Sequence, residues 1–510
     1  MIRFVRGAGG VALCAAAGLI ALGCGVLLAT PGGEAKVGAV GAEQVAESVG
    51  LIEAPELEAY VREIGARLAA EVAERDGVTF QFHIVDMVEP NAFALPGGYI
   101  YVSRGLLAIL NDEDELANVL GHEVAHVTSR HHLRHALRET PFIPVRIASG
   151  LAGALVQIAA APLGRLGAPL RVGGAAVSGL GRAPGSLFLA SHSRSQENQA
   201  DEVGQTIAAK AGWDPTGMSR AMEALSRDTR LRGNDPETQH FLDTHPSTPE
   251  RDRATLERAK TLTTADRPPI ARNRGHFYAK LAGLLVGESA NVGVVNGREF
   301  LHPDLDFRIA FPKDWVVENG VNHVAAAPKV AEGADPSEVI AAITIASEGD
   351  DPEGVARQVL EKSSIDVDGD VVTGKVGTLP SASVEGRDTS GKVPYRVIVS
   401  WIAHDGNVYQ VLGAAPEDAW AESRAALTAV AKTFRPLTAR DRDRVVEKRL
   451  RVASAREGES LGGIIERRAS AWTVATAAAA NALPEDASFA LKQPIKLAIW
   501  EKYTPPPAGD

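Results

Sequence analysis

A chain of 510 residues is too long for one ordinary hydrophobic core, so two to four domains are expected. With 45% hydrophobic and 23% charged residues it has the composition of a folded protein rather than a disordered or coiled-coil one, and a net charge of −11 argues against a nucleic-acid partner, which calls for a basic face. Both cysteines, Cys14 and Cys24, lie near the start, which excludes a disulfide, a cysteine nucleophile or a thiolate zinc site anywhere beyond them.

Arg3 and Arg6 precede an apolar run at 11–29, and no further charge appears until Glu34. That is the layout of an export signal, long for a cleaved one and about long enough to span a bilayer. ALGC at 21–24 is similar to a lipid-attachment motif ending in Cys24, but Ala21 stands where leucine is usual and the following residues stay apolar. Residues 1–40 are therefore expected to export the chain to the periplasm or to the membrane facing it, with lipid anchor, uncleaved helix and cleaved signal all open.

Residues 41–75 set apolar positions at helical spacing among Glu and Arg and predict an amphipathic helix. FQFHIVDM (80–87) alternates at period two and predicts a strand; NAFALPGGYIYVSRGLL (91–107) holds a Pro-Gly-Gly turn and then the strand YIYV. The next helix begins at NDEDELANVLGHEVAHV, with Asn111 or Asp112 as its cap and an acidic first turn suited to the positive end of the helix dipole. Residues 143–190 are rich in Gly, Ala, Leu and Val but broken by Arg146, Arg165, Arg171 and Arg182. These arginines argue against a membrane span and leave a buried helical pair, a mobile cover of the cleft or a membrane-facing loop. Another helical stretch covers 195–230, and 263–297 reads as a linker with a connecting helix. Short β-type runs such as YRVIVSWIA and NVYQVLGAA, joined at Asp405-Gly406 by a hairpin turn, predict an α+β domain over 298–436 closed by a helix at about 416–434. A charged stretch, 437–449, leads to a small module at 450–503.

His122-Glu123-Val124-Ala125-His126 is an H-E-x-x-H pattern on the fourth of these elements, the helix that begins near Asn111. Histidines four apart share a helical face, about 6 Å apart along the axis, so both imidazoles can reach one tetrahedral zinc ion. Glu123 stands where it can take a proton from a water whose pKa the ion lowers from about 15.7 to about 7. A third ligand is required. His132 matches the metzincin spacing, but Ser129 replaces the glycine at which that helix turns back, and no Met-turn is visible. SRSQENQADEVG (193–204) is the better source: Glu197 and Asp201, four apart on a second helix, share a face, so Glu197 can bind the ion while Asp201 accepts a hydrogen bond from a ligand histidine. PGGYIYV fits a substrate edge, in which Tyr99, Ile100 and Tyr101 pair with an extended peptide and Gly97 and Gly98 allow close approach.

Together these motifs resemble zinc metallopeptidase family 48, the gluzincins that include HtpX and the CaaX prenyl protease, and most of all its periplasmic, BepA-like branch. NAFALPGGYIYV, ELANVLGHEVAHVTSRH, SRSQENQADEVG and THPSTPER carry the resemblance across about residues 41–260. It implies one Zn2+ per chain on His122, His126 and Glu197, with Glu123 as general base and Asp201 behind a ligand histidine. It places the THP histidine, His245, close to the metal as a further catalytic group, and Arg251 in support. Gln199 departs from the commoner E-x-E-A-D, outside the ligand set. His131 fits the family's H-V-T-x-R-H helix, and His132 and His135 are expected to be solvated or structural. REFLHPDLDFRIAFPKDW (298–315) is similar to the start of a PsbP-like domain, and 450–498 is loosely similar to LysM modules.

The expected fold class is therefore α+β multidomain. A mainly helical zincin-type metallopeptidase domain with a small edge β-sheet occupies 41–262; the PsbP-like domain and the LysM-like module follow. The expected activity is that of a zinc-dependent endopeptidase hydrolysing misfolded or envelope proteins, bound in extended form, for protein quality control. The membrane, through the N-terminal segment, and peptidoglycan, through the C-terminal module, are further expected partners; nucleic acid is not. The rival is a non-catalytic periplasmic chaperone or assembly factor with a structural metal site, which would have no use for Glu123.

Overall fold

The computed structural model describes residues 32–74, 76, 78–131, 192–232, 241–245, 248–320, 323–330, 338–388 and 394–505. The apolar run 11–29, the stretch 143–190, His132 and His135 lie outside them. Among the described residues no helix is long and apolar enough to cross a membrane. They fall into two compact units, one of residues 32–288 with 448–501 and the other of 289–447 with 502–505.

The first unit opens with α1 (Gly33–Ser48) and α2 (Pro55–Ala69). The single helix expected over 41–75 is thus two: Gly50 adopts a left-handed φ of 84°, and Pro55, without an amide hydrogen, starts the second helix at no cost. Strands β1 (Gln81–Val85), β2 (Ala92–Leu95) and β3 (Tyr99–Ser103) follow, then α3 (Arg104–Ile109) and α4 (Glu113–Thr128). Asp112 caps α4 by accepting from the Glu115 amide at 3.0 Å. The expected strands are there, but their order is β1-β3-β2, with β3 parallel to β1 and antiparallel to β2. Alternation divides their side chains: Phe82, Ile84, Ile100 and Val102 join the main core with α2 and α4, whereas Phe93, Leu95 and Tyr101 meet Val45 of α1 on the other face.

This order corrects the substrate edge expected at Gly97, Gly98, Tyr99, Ile100 and Tyr101. Tyr99, Ile100 and Tyr101 belong to the middle strand, whose backbone is already paired on both sides. Gly97 and Gly98, at φ 81° and 101°, make the turn into it, and a Cβ at Gly98 would stand 2.6 Å from the Thr79 carbonyl oxygen. Their small size serves a chain crossing.

Helix α5 (Arg194–Ala211) ends at Gly212, φ 98°, before α6 (Gly217–Arg232), so the stretch 195–230 is also broken in two. Short α7 (Phe241–Thr244), α8 (Pro249–Ala259) and α9 (Arg274–Leu281) complete the described helices before residue 288. The stretch 263–275 is no free linker. Ala265 donates to the Ala209 carbonyl at 2.8 Å, and the Ile270 and Ala271 amides donate to buried Glu113, which also accepts from Tyr60 Oη and Trp213 Nε1, each at 2.8 Å.

Residues 448–501 fold as two strands around helices at Leu461–Arg468 and Val474–Asn481, over a small core of Leu461, Ile464, Phe489, Ile495 and Leu497. They belong to the same compact unit as α4. Lys496, fully buried, donates from Nζ to the Ala108 and Leu110 carbonyls at 2.8 and 2.6 Å, satisfying oxygens left over where α3 ends. Burial pushes that amine down to about 7. Lys496→Ala leaves two buried carbonyls without a donor and is expected to cost about 1–3 kcal/mol for each in denaturant unfolding of the full chain. An unchanged midpoint would mean that this module contributes nothing to the catalytic unit's stability.

In the second unit, eight strands between Trp315 and Pro416 form one sheet. Asp405 and Gly406, φ 47° and 73°, make the expected hairpin turn, both with the positive φ that such turns require. Helix Glu417–Lys432, close to the span expected, buries Trp420, Leu427 and Val430 against the sheet.

Candidate metal centre

Two glycines bring the site together. A Cβ on Gly204 of α5 would lie 2.8 Å from His122 Cα, and one on Gly121 of α4 would lie 2.9 Å from the Gly204 oxygen. Without side chains at both places, α4 and α5 approach nearly backbone to backbone. Glu197 and Asp201, one turn apart on α5, then face His122, and the start of α5 is fixed by a capping box between Ser193 and Gln196.

His122, His126, Glu197 and His245 each offer one ligand atom, all within 4.8 Å of one another, and all four side chains are buried. His122 Nε2 lies 2.9 Å from His126 Nε2 and 3.5 Å from Glu197 Oε2; His126 Nε2 lies 3.4 Å from Glu197 Oε1. His245 Nδ1 lies 3.3 Å from His122 Nε2 and 3.1 Å from both Glu197 oxygens. Behind this ring His122 Nδ1 meets Asp201 Oδ1 at 3.0 Å, and Arg251 grips Asp201 through Nε and Nη2 at 2.6 and 2.8 Å. Arg251 Nη1 also reaches Glu197 Oε2 at 2.8 Å and donates to the His245 carbonyl at 3.2 Å. The structure thus brings together every expected ligand, the supporting Asp201 and Arg251, and His245.

Burial opposes charge on His122, yet its bonds to Asp201 and Glu197 win and raise it to about 9. His126 is held well below its usual value, first by burial. Burial would raise Glu197, but His245 and the hydrogen bonds from the histidines hold it far below the ordinary carboxylate range. Asp201 is likewise held low against burial by Arg251 and His122. The pocket therefore calls for one positive charge amid buried carboxylates.

The donor chemistry fits a metal. If His122 Nδ1 donates to Asp201, its Nε2 carries a bare lone pair aimed at the bare Nε2 of His126 beside a carboxylate. A metal cation resolves that repulsion, and imidazole nitrogen with carboxylate oxygen is a zinc donor set. Glu123, buried and 3.7 Å by Oε1 from His245 Nε2, stands outside the ring; burial raises its pKa, and its buried Oε1 has no hydrogen-bond partner among the described residues.

Three residues near the ring, Arg130, His131 and His192, lie outside the expected ligand set. Helix α4 stops at Thr128, and Arg130 takes the left-handed φ of 55° that glycine supplies elsewhere, so the helix does turn here despite Ser129. The turn brings back His131, whose Nδ1 lies 2.9 Å from His126 Nδ1 and whose Nε2 lies 3.2 Å from Gln199 Oε1. The ring of His192 lies 4.0 Å from that of His126, centroid to centroid; burial, then His245, lowers its pKa to about 3. The H-V-T-x-R-H pattern already pointed at His131, whereas His192, just before the α5 cap, carried no signal.

Residues 55–259 match the model of peptidase family M48. The chain is 30% identical over 239 residues to the beta-barrel assembly-enhancing protease of Yersinia pestis, covering 47% of this chain and 46% of that protein. Its identity to the mitochondrial metalloendopeptidase OMA1 of Bos taurus is 31% over 212 residues, 40% of this chain and 38% of that one. The chain thus spans under half the length of both relatives. Among solved structures, cyanobacterial PsbP from Synechocystis sp. PCC 6803 aligns with 30% of this chain and 99% of its own, at 12% identity and a TM-score of 0.23. All four ring residues and Glu123 lie inside the span, residues 55–259, that matches peptidase family M48.

Proposed function

We propose that the chain is a zinc-dependent metalloendopeptidase acting on misfolded or envelope polypeptides in protein quality control. The observation that carries this reading is a buried ring of four metal donors with an unligated carboxylate, Glu123, beside it. His122, His126 and Glu197 would hold the ion, which would supply Lewis acidity and lower the pKa of a nearby water to about 7. Glu123 takes the proton of the attacking water and delivers it to the leaving nitrogen; its burial keeps its basicity above that of an exposed carboxylate. An extended substrate pairs with β2, Ala92–Leu95, which is bonded to β3 on one side only among the described residues and packs against α4. That role moves from Gly97–Tyr101, for the reason given above.

The names of the relatives, a beta-barrel assembly-enhancing protease and a mitochondrial metalloendopeptidase, favour polypeptide substrates and an envelope setting. Export by residues 1–40 belongs to the same reading. Peptidoglycan binding by 450–503 would be a second role for that module, which already serves the catalytic unit through Lys496.

Metal analysis and casein digestion by the purified protein test the proposal. About one zinc per chain is expected, with cleavage lost on chelation and regained on zinc addition. Metal without cleavage under any condition would favour the non-catalytic assembly factor.

His245 gives a second prediction. With its Nδ1 in the ring, four protein donors would face the ion, whereas a catalytic zinc needs one position open. In this arrangement His245 holds the centre at rest and must withdraw for turnover. His245→Ala is expected to raise casein turnover severalfold with zinc content intact. A loss of about 10²-fold or more with zinc retained would instead assign it to oxyanion stabilisation.

A further inference from the structure

We propose that His131 and Gln199 form a hydrogen-bond relay that fixes the tautomer of His126 and sets how tightly this chain holds its metal. The inference rests on the metal-centre reading above and adds to it two residues outside the ring. His126 faces His122 and Glu197 with Nε2, so Nε2 is its metal-side nitrogen and Nδ1 carries the proton. That proton points at His131 Nδ1, 2.9 Å away, which must accept it. His131 therefore carries its own proton on Nε2, which donates to Gln199 Oε1 at 3.2 Å. Each atom of the chain Nδ1–H, Nδ1, Nε2–H, Oε1 then has one role, with no two donors or two acceptors facing each other.

The placement of His131 is built into the fold. Arg130 turns the chain with a φ of 55° and lies 3.3 Å by Nε from Glu34 Oε1 of α1. Gln196, already part of the α5 capping box, donates from Nε2 to the His131 carbonyl at 3.3 Å. The His131 ring is fully buried, whereas Gln199 is exposed.

The two ligand histidines are thus backed unequally. His122 Nδ1 stands 3.0 Å from a carboxylate oxygen, Asp201 Oδ1, whose negative charge increases the electron density the ring offers a metal. His126 donates through a neutral imidazole to a neutral amide, which orients it without that gain. His131 and Gln199 are positioning residues, acting through His126, and Gln199 is the place where the strength of the relay is adjustable. A carboxylate there would accept the same hydrogen bond and strengthen it.

The test is the rate at which the zinc-loaded full-length protein releases its metal to a chromogenic chelator, for wild type, Gln199→Leu, Gln199→Glu and His131→Phe. Release is expected to quicken about 10- to 100-fold in His131→Phe, to quicken less in Gln199→Leu, and to slow below the wild-type rate in Gln199→Glu. Opposite signs at one exposed position are what simple packing cannot produce, and thermal melting of the zinc-free proteins controls for folding. Nitrogen-15 histidine spectra of the zinc form should show His131 protonated on Nε2 and not on Nδ1. Wild-type release rates in both Gln199 variants, or a His131 proton on Nδ1, would overturn the relay while leaving the metal centre standing. A wild-type chain that takes up no zinc would overturn the metal centre and the relay with it.

Discussion

Glu123→Gln is expected to abolish casein cleavage, a loss of about 10²–10⁴-fold or more, while the protein keeps about one zinc and its melting temperature. The argument is geometric before it is chemical. Glu123 sits on α4 beside two ring histidines yet contributes no atom to the ring, so the amide substitution removes a base and no ligand. Its nearest ring group is His245 Nε2, at 3.7 Å, and its Oε1 is buried without a hydrogen-bond partner among the described residues. An atom in that state is costly in a purely structural site and useful in one that must receive a proton. Glutamine has nearly the same volume and no proton affinity in the relevant range, which is why activity is expected to collapse with the fold intact. Undiminished cleavage by the variant would sink the mechanism. Loss of zinc and fold together would support the structural-site rival.

What was legible in the sequence follows from the range over which each signal acts. His122, Glu123 and His126 are local: one helical turn of one strongly periodic element defines them. Glu197 and Asp201 are likewise set by an i, i+4 spacing on α5, and only their meeting with His122 is long-range. That meeting depends on Gly121 and Gly204, whose purpose appears only once the two helices cross. Strand order was not legible, since YIYV and NAFA alternate equally well and hydrophobicity alone does not say which strand lies in the middle. The turn after Ser129 was missed because Arg130 takes a conformation that sequence reasoning reserves for glycine or asparagine. The expected linker at 263–275 was misjudged for a related reason: its Pro and Arg content looks solvated, but Glu113 binds its backbone, and a backbone partner leaves no trace in side-chain composition.

The other large effect is expected at Glu197, and it decides whether the centre is a two-histidine, one-glutamate site. Glu197→Ala removes the one carboxylate whose two oxygens face His122, His126 and His245. Zinc retention after dialysis should fall to near background and cleavage with it, because His122 and His126 alone leave the ion open to competing water. His245 is a weak substitute, since its Nδ1 is placed by Glu197 itself. Asp201→Ala should be milder for the metal, roughly 10- to 100-fold in affinity or activity, as the His122 ring loses its acceptor but not its contact with the ion. It should cost more in stability than a simple lost bond, because Arg251 is left buried without Asp201, the carboxylate it grips through Nε and Nη2. His132→Ala is expected to behave as wild type, because Glu197 already completes the set of three ligands with His122 and His126. Zinc content and casein cleavage measured on the three variants give the ordering Glu197→Ala, then Asp201→Ala, then His132→Ala. If His132→Ala lost the metal and Glu197→Ala kept it, the third ligand would lie on the α4 side, and the α4–α5 crossing at Gly121 and Gly204 would have no part in holding the ion.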